Sequence, residues 1–236
     1  MANKRARVEE KVFEAIEDIT EELGIEASTY PEIHLINKKT EFDDLWLPES
    51  KRERFESLKE MGGSWYDDSP PGIFLINPSE EDIAEESSHF LHFRHSRIRY
   101  TGRTTRDKFA LNILVETIGF FCSKLLIPER ENTYPTEPDL FFMTPNDRIK
   151  CLNDVMKKYG KIAASEFCLY QQARGLGDRM HYAYLTGDLS MEEFRKLFLC
   201  SFRGRDNPFS KLVELKMKYW KSQEYQPKPL KHQKTP

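Results

Sequence analysis

Apolar residues recur every three or four positions at Val8, Val12, Phe13, Ile16, Ile19 and Leu23, which predicts an amphipathic helix stopping at Gly24. Between Pro31 and Asn37, Ile33 and Leu35 fall two apart, predicting a strand with both on one face. A charged stretch that opens at Pro48 and closes at Gly62-Gly63 reads as a short helix. The Ser69-Pro70-Pro71-Gly72 turn leads into Ile73-Phe74-Leu75-Ile76, a strand apolar on both faces. Pro78-Ser79 caps the next helix, with Asp82 at the capping-box position. That helix runs to about Ser96, and a second long one runs from Thr105 to Leu126. A loop spaced by Pro128, Pro135, Pro138 and Pro145 follows. Beyond it the pattern predicts separate helices: Thr144-Pro145 to Gly160, Lys161 to Arg174, Asp178 to Thr186, one capped by Ser190, and Phe209 to Trp220. In the last of these, Phe209, Leu212, Val213, Met217 and Trp220 make one apolar stripe expected to dock on the domain.

Two or three strands among many helices predict an α+β fold, predominantly helical with a small N-terminal β-sheet. At 236 residues one domain is expected over 1–222. The sheet and its helices occupy 1–127, a helical part occupies 145–222, and a flexible basic tail covers 223–236. The final segment from Arg203 carries nine Lys/Arg against three Asp/Glu, so the first 202 residues are acidic within a total of -3. A solvated tail is the expectation there. The start of the chain is basic but not apolar, and no apolar run approaches the roughly 20 residues of a bilayer span, so a cytoplasmic protein without a membrane span is expected. The four cysteines lie 29, 17 and 32 residues apart, without zinc-knuckle spacing, and read as reduced core residues. Neither a phosphate-binding glycine loop nor an RNA-binding aromatic signature occurs, and no nucleic-acid partner is expected.

The densest chemistry lies on the helix that starts after Ser79. Three of the six histidines fall there, and Glu85, His89 and His92 sit at i, i+4 and i+7 on one stripe, flanked by Glu86. Ile83, Ser87, Phe90 and Leu91 form a separate apolar side. A carboxylate and an imidazole one turn apart offer two metal ligands from a rigid element. On the following helix the fifteen residues from Phe109 to Ser123 carry a single charge, Glu116. A carboxylate in so apolar a setting calls for a cation, and three arrangements remain open: a metal shared with His89, a pair with Arg or protonated His, and a partly exposed side chain.

A strand, a helix bearing Glu-Glu-x-x-His and a second helix bearing Glu resemble the gluzincin metallopeptidases, the small minigluzincins above all. The likeness covers roughly Gly72 to Leu126. It implies a zincin-like core in which Glu86 is the general base, His89 a metal ligand and Glu116 the third ligand. The family's first histidine ligand is replaced here by Glu85. The resemblance implies a divalent metal, zinc foremost, and a peptide or protein as substrate or partner. Two carboxylates and one imidazole make a harder site, open to manganese or iron, that leaves less positive charge to acidify bound water. The expectation is a metallopeptidase-like protein with a degenerate motif and weak or no catalysis. Its alternatives are an active metal-dependent hydrolase using Glu86 as base, and an assembly protein without metal. His92 is the candidate to replace the missing ligand, and His181 the candidate oxyanion donor, within Arg179-Met180-His181-Tyr182.

Overall fold

The computed structural model describes residues 2–27, 29–36, 64–68, 71–127 and 145–220. The charged helix expected from Pro48, the proline-spaced loop and the tail lie outside them. In chain order the elements are α1 (Ala2–Leu23), β1 (Glu32–Ile36), β2 (Trp65–Asp68), β3 (Pro71–Ile76), α2 (Glu80–Ser96), α3 (Thr105–Leu126), α4 (Pro145–Thr186), α5 (Met191–Phe198) and α6 (Pro208–Trp220). A three-residue 3₁₀ turn, Gly204–Asp206, precedes α6. The fold is α+β and mostly helical.

β3 occupies the centre of a three-stranded sheet, parallel to β1 and antiparallel to β2. Its Ile73, Phe74 and Leu75 are all buried, as an apolar run covered on both faces requires. His34 of β1 and Trp65 of β2 stack on Phe74 from either side, at 4.5 and 4.9 Å between centroids. Such cross-strand neighbours hold a sheet whose edge strand is only four residues long. Tyr66 of that edge strand turns its ring toward Phe90 and Phe93, seating the sheet on α2.

Local chemistry explains where the central helices begin. Ser79 Oγ accepts from the Asp82 amide at 3.1 Å while Asp82 Oδ2 accepts from the Ser79 amide at 2.8 Å, a complete capping box. Thr104 caps α3 from one side only, its Oγ1 accepting from the Asp107 amide at 3.2 Å. The eight-residue connection from Arg97 to Thr104 makes α2 and α3 a helical hairpin. One apolar cluster runs from Val8 of α1 through α2 and α3 to Tyr219 of α6.

Four expectations change. Residues 145–186 form one 42-residue helix, not three. Gly177 lies inside it because α3 passes so close that a Cβ would stand 2.9 Å from Phe120 Cβ and 3.2 Å from the Thr117 carbonyl. Thr117 Oγ1 donates to the Ala173 carbonyl across the same crossing, at 3.3 Å. The short edge strand β2 is an addition. Among the cysteines only Cys122 is buried; the other three are half-buried, and all are free. Finally, α3 is long and apolar enough to cross a bilayer, although most of its surface is covered by its neighbours.

α6 also docks in a different phase from its apolar stripe. Leu212, Leu215 and Tyr219 are buried, whereas Val213 and Met217 are 44% and 64% exposed. Lys216 Nζ on Gln172 Oε1 and Lys218 Nζ on Glu193 Oε1 fix that rotation, at 2.6 and 3.1 Å. Leu215→Ala is expected to cost about 2–4 kcal/mol by leaving a cavity, and Met217→Ala under about 0.5. At about 2–4 °C per kcal/mol, thermal melts separate the two. Equal effects would return α6 to the stripe read from sequence.

Candidate metal centre

Glu85 and His89 leave α2 one turn apart, and Glu116 meets them from the middle of α3. His89 Nε2 lies 3.2 Å from Glu116 Oε2 and 4.0 Å from Glu85 Oε1. One ligand atom from each residue falls within 4.8 Å of the others. Donors at ~2.0–2.2 Å from a common zinc stand roughly 3–4 Å apart, so the two distances from His89 already match metal sharing. His89 is buried and the two carboxylates are half-buried.

The helices can come this close because of Gly119, one turn beyond Glu116. A Cβ there would stand 2.8 Å from His89 Cε1 and 3.0 Å from Glu85 Cγ. Gly119 is the position in this candidate site that sequence reasoning missed. A glycine in a helix interior, costing about 1 kcal/mol against alanine, was its available signal.

Electrostatics divide the three histidines. Burial alone would lower the His89 pKa, but Glu116, Glu86 and Glu85 oppose it and hold it up at about 9. Without metal, His89 is therefore a cation at neutral pH, hydrogen-bonded to Glu116. Its Nδ1 is buried without a hydrogen-bond partner, whereas ligating imidazoles generally donate that second N–H to an oxygen. Glu86 is buried with Oε2 unpartnered. Burial first, then the carboxylates of Glu85, Glu116 and Asp82, push its pKa well up against the opposing His89.

His92 does not join the cluster. It is wholly buried, its ring 5.1 Å from that of Phe198 and 6.3 Å from that of Phe202, with neither nitrogen hydrogen-bonded. Burial, then the charge on His89, lowers it to about 3, so it is a neutral core side chain. His181 is likewise placed elsewhere. It lies on α4 with its ring edge-on to Phe121 at 6.1 Å, beside the ion pair of Lys124 Nζ and Asp178 Oδ1 at 2.7 Å. Lys124 is eight residues beyond Glu116, about 12 Å along α3. Among the described residues the cluster contains Glu85, His89 and Glu116 alone.

The chain matches no protein-family model, no curated protein and no solved structure.

Proposed function

We propose that this protein is a metallopeptidase-like scaffold whose altered motif holds a divalent metal ion through Glu85, His89 and Glu116, with weak or no peptidase activity. The observation that carries the proposal is the convergence of these three side chains from two helices onto one buried point. The donor set suits the ion chemically: two carboxylates and an imidazole neutralise a dication and satisfy groups that are costly to bury alone. Bound there, a dication supplies Lewis acidity, but the two anionic ligands cancel its charge and weaken its power to acidify water. Glu86 has the family position of the general base, yet its enclosed carboxyl supports a reduced role. The oxygen-rich set favours manganese or iron more than a two-histidine set would.

A second reading, an assembly protein without metal, is favoured by one distance. His89 Nε2 and Glu116 Oε2 are 3.2 Å apart, which satisfies both groups as an ion pair.

Elemental analysis of the purified, tag-free protein separates these readings: about one equivalent of a transition metal is expected. In calorimetry, Glu85→His should tighten zinc binding by about tenfold or more, because it replaces an anionic oxygen with the nitrogen zinc prefers. Unchanged affinity would remove Glu85 from the ligand set, and no binding of zinc, manganese or iron by the unaltered protein would leave the ion pair.

A further inference from the structure

The hairpin connection between α2 and α3 faces the stretch from Ser201 to Asn207 across a groove of about 390 Å³. The volume falls within the range of small-molecule sites, about 300–1,000 Å³. Residues 97–106 and 201–207 together hold six arginines, no lysine and one acid, Asp206. Arg99, Arg103 and Arg203 line the groove itself.

Arg103 is locked in place at its edge. Its Nε donates to the Arg99 carbonyl at 2.5 Å, Nη1 to the Phe202 carbonyl at 2.9 Å and Nη2 to the Ser201 carbonyl at 3.4 Å. A guanidinium has five N–H donors, so two stay available. Arg203 Nη2 reaches the Arg97 carbonyl at 3.4 Å, tying the two walls together a second time. Arg106 instead lies over the Phe209 ring at 4.2 Å.

None of Arg97, Arg99, Arg103, Arg203 and Arg205 pairs with a carboxylate among the described residues, although ion pairs occur elsewhere on the surface. Like charges held together repel unless an anion joins them. Backbone strain marks the same place. Among the described residues, Arg97 and Phe202, both at φ 51°, are two of the three non-glycine residues with left-handed backbone; Arg97 is the C-cap that ends α2, and Phe202 lines the groove. Such conformations persist where the surrounding structure over-determines them, ligand clamps among other places.

We propose that this groove is an anion site for a small phosphorylated solute that presents a diphosphate group. A cluster built only from arginine favours that chemistry, because planar forks pair two donors with two phosphate oxygens where an ammonium offers a point charge. A diphosphate spreads its charge over two centres and so engages both walls. The site lies about 18 Å along α2 from Glu85 and does not depend on the metal proposal.

The test titrates the full chain with inorganic pyrophosphate and, separately, with ADP, followed by calorimetry and by the arginine Nε–Hε signals in NMR. Saturable binding of pyrophosphate at one equivalent is expected, weakening with salt, with shifts concentrated at Arg99, Arg103 and Arg203. Tighter binding of ADP assigns the ligand to an esterified diphosphate, and equal binding to the free anion. The double variant R99A/R203A, at two exposed, groove-lining side chains, should bind about tenfold more weakly or worse while the melting temperature falls by no more than about 2–4 °C for the lost Arg203–Arg97 bond. Removing two cations from α4 with K150A/K157A should change affinity less than about twofold. Equal loss in the two variants would show diffuse charge attraction and overturn the site. So would shifts at other arginines in the unaltered protein, a readout that needs no variant to fold. Binding of an oligonucleotide without binding of pyrophosphate would overturn it in favour of a polymer surface.

Discussion

Gly119→Ala should lower metal affinity by about 100-fold while Gly177→Ala leaves it nearly unchanged, with the order reversed for stability. Helix propensity alone says that either substitution stabilises by about 1 kcal/mol. The contacts reverse the sign at both positions. At Gly119 the added Cβ would stand 2.8 Å from His89 Cε1 and 3.0 Å from His89 Nε2 and Glu85 Cγ. Both side chains must shift, and both belong to the proposed donor set. Losses of about 10–100-fold follow even from changes beyond the ligands themselves, so displacing two ligands at once belongs at the upper end. Overpacking costs about 1–3 kcal/mol, partly offset by propensity, which leaves a net of about 1–2 kcal/mol. At Gly177 the Cβ would meet Phe120 Cβ and the Thr117 carbonyl, main-chain and near-main-chain atoms that cannot swing away. There the α3–α4 crossing must open, at about 2–3 kcal/mol net, or roughly 5–10 °C in melting temperature. Calorimetry with zinc and manganese, set beside thermal melts in chelator, reads both effects. Metal affinity that falls equally in the two variants would mean that the cluster reports global stability and not the local approach of α2 to α3.

The same two glycines show why part of the architecture was hidden in the sequence. Ser79 with Asp82, Thr104 with Asp107 and Ser190 with Glu193 are local signals, so α2, α3 and α5 begin where their caps place them. Gly160 and Gly177 are also local signals, for breaks, and in α4 packing overrides them. A glycine required by a neighbouring helix is indistinguishable in one dimension from a glycine that ends its own. α6 carries two overlapping apolar stripes, and partners on α4 and α5, distant in sequence, choose between them. In the candidate site, the pairing of Glu85 with His89 was legible from the four-residue spacing. The single charge of Glu116 in an apolar helix left its meeting with His89 as one of three open arrangements, and the resemblance singled that one out. His92 illustrates the limit of angular reasoning: it lies within about 20° of Glu85 around the helix but about 4.5 Å beyond His89 along it. That displacement takes it out of the carboxylate pair and onto Phe198 and Phe202. The arginine groove joins segments about 100 residues apart, and neither alone carries a recognisable motif.

In metal-free protein, the destabilisation caused by Glu116→Gln should be large at pH 6–7 and should fade above pH 9. The substitution keeps the side chain's shape and removes its charge, so it tests the ion pair with little change in packing. Burial disfavours the His89 cation, yet Glu116, Glu86 and Glu85 raise its pKa from 6.5 to about 9. A histidine whose pKa is higher folded than unfolded stabilises the fold fully below pH 6.5, and that stabilisation is lost as the pH climbs through about 9. Near pH 7 it amounts to on the order of 2–3 kcal/mol, most of which depends on Glu116. A metal reverses this dependence, because it needs the lone pair on Nε2 that the proton occupies. Affinity for zinc should therefore rise about tenfold per pH unit between pH 7 and 9 and then level, with about one proton released per ion at pH 7. Thermal melts in chelator across this range, the NMR titration of the His89 Cε1 proton and calorimetry in buffers of different ionisation enthalpy measure the three quantities. A variant equally destabilised at pH 6 and pH 9.5 would show a neutral hydrogen bond between His89 and Glu116. Metal affinity that is flat with pH would then separate His89 from the ion altogether.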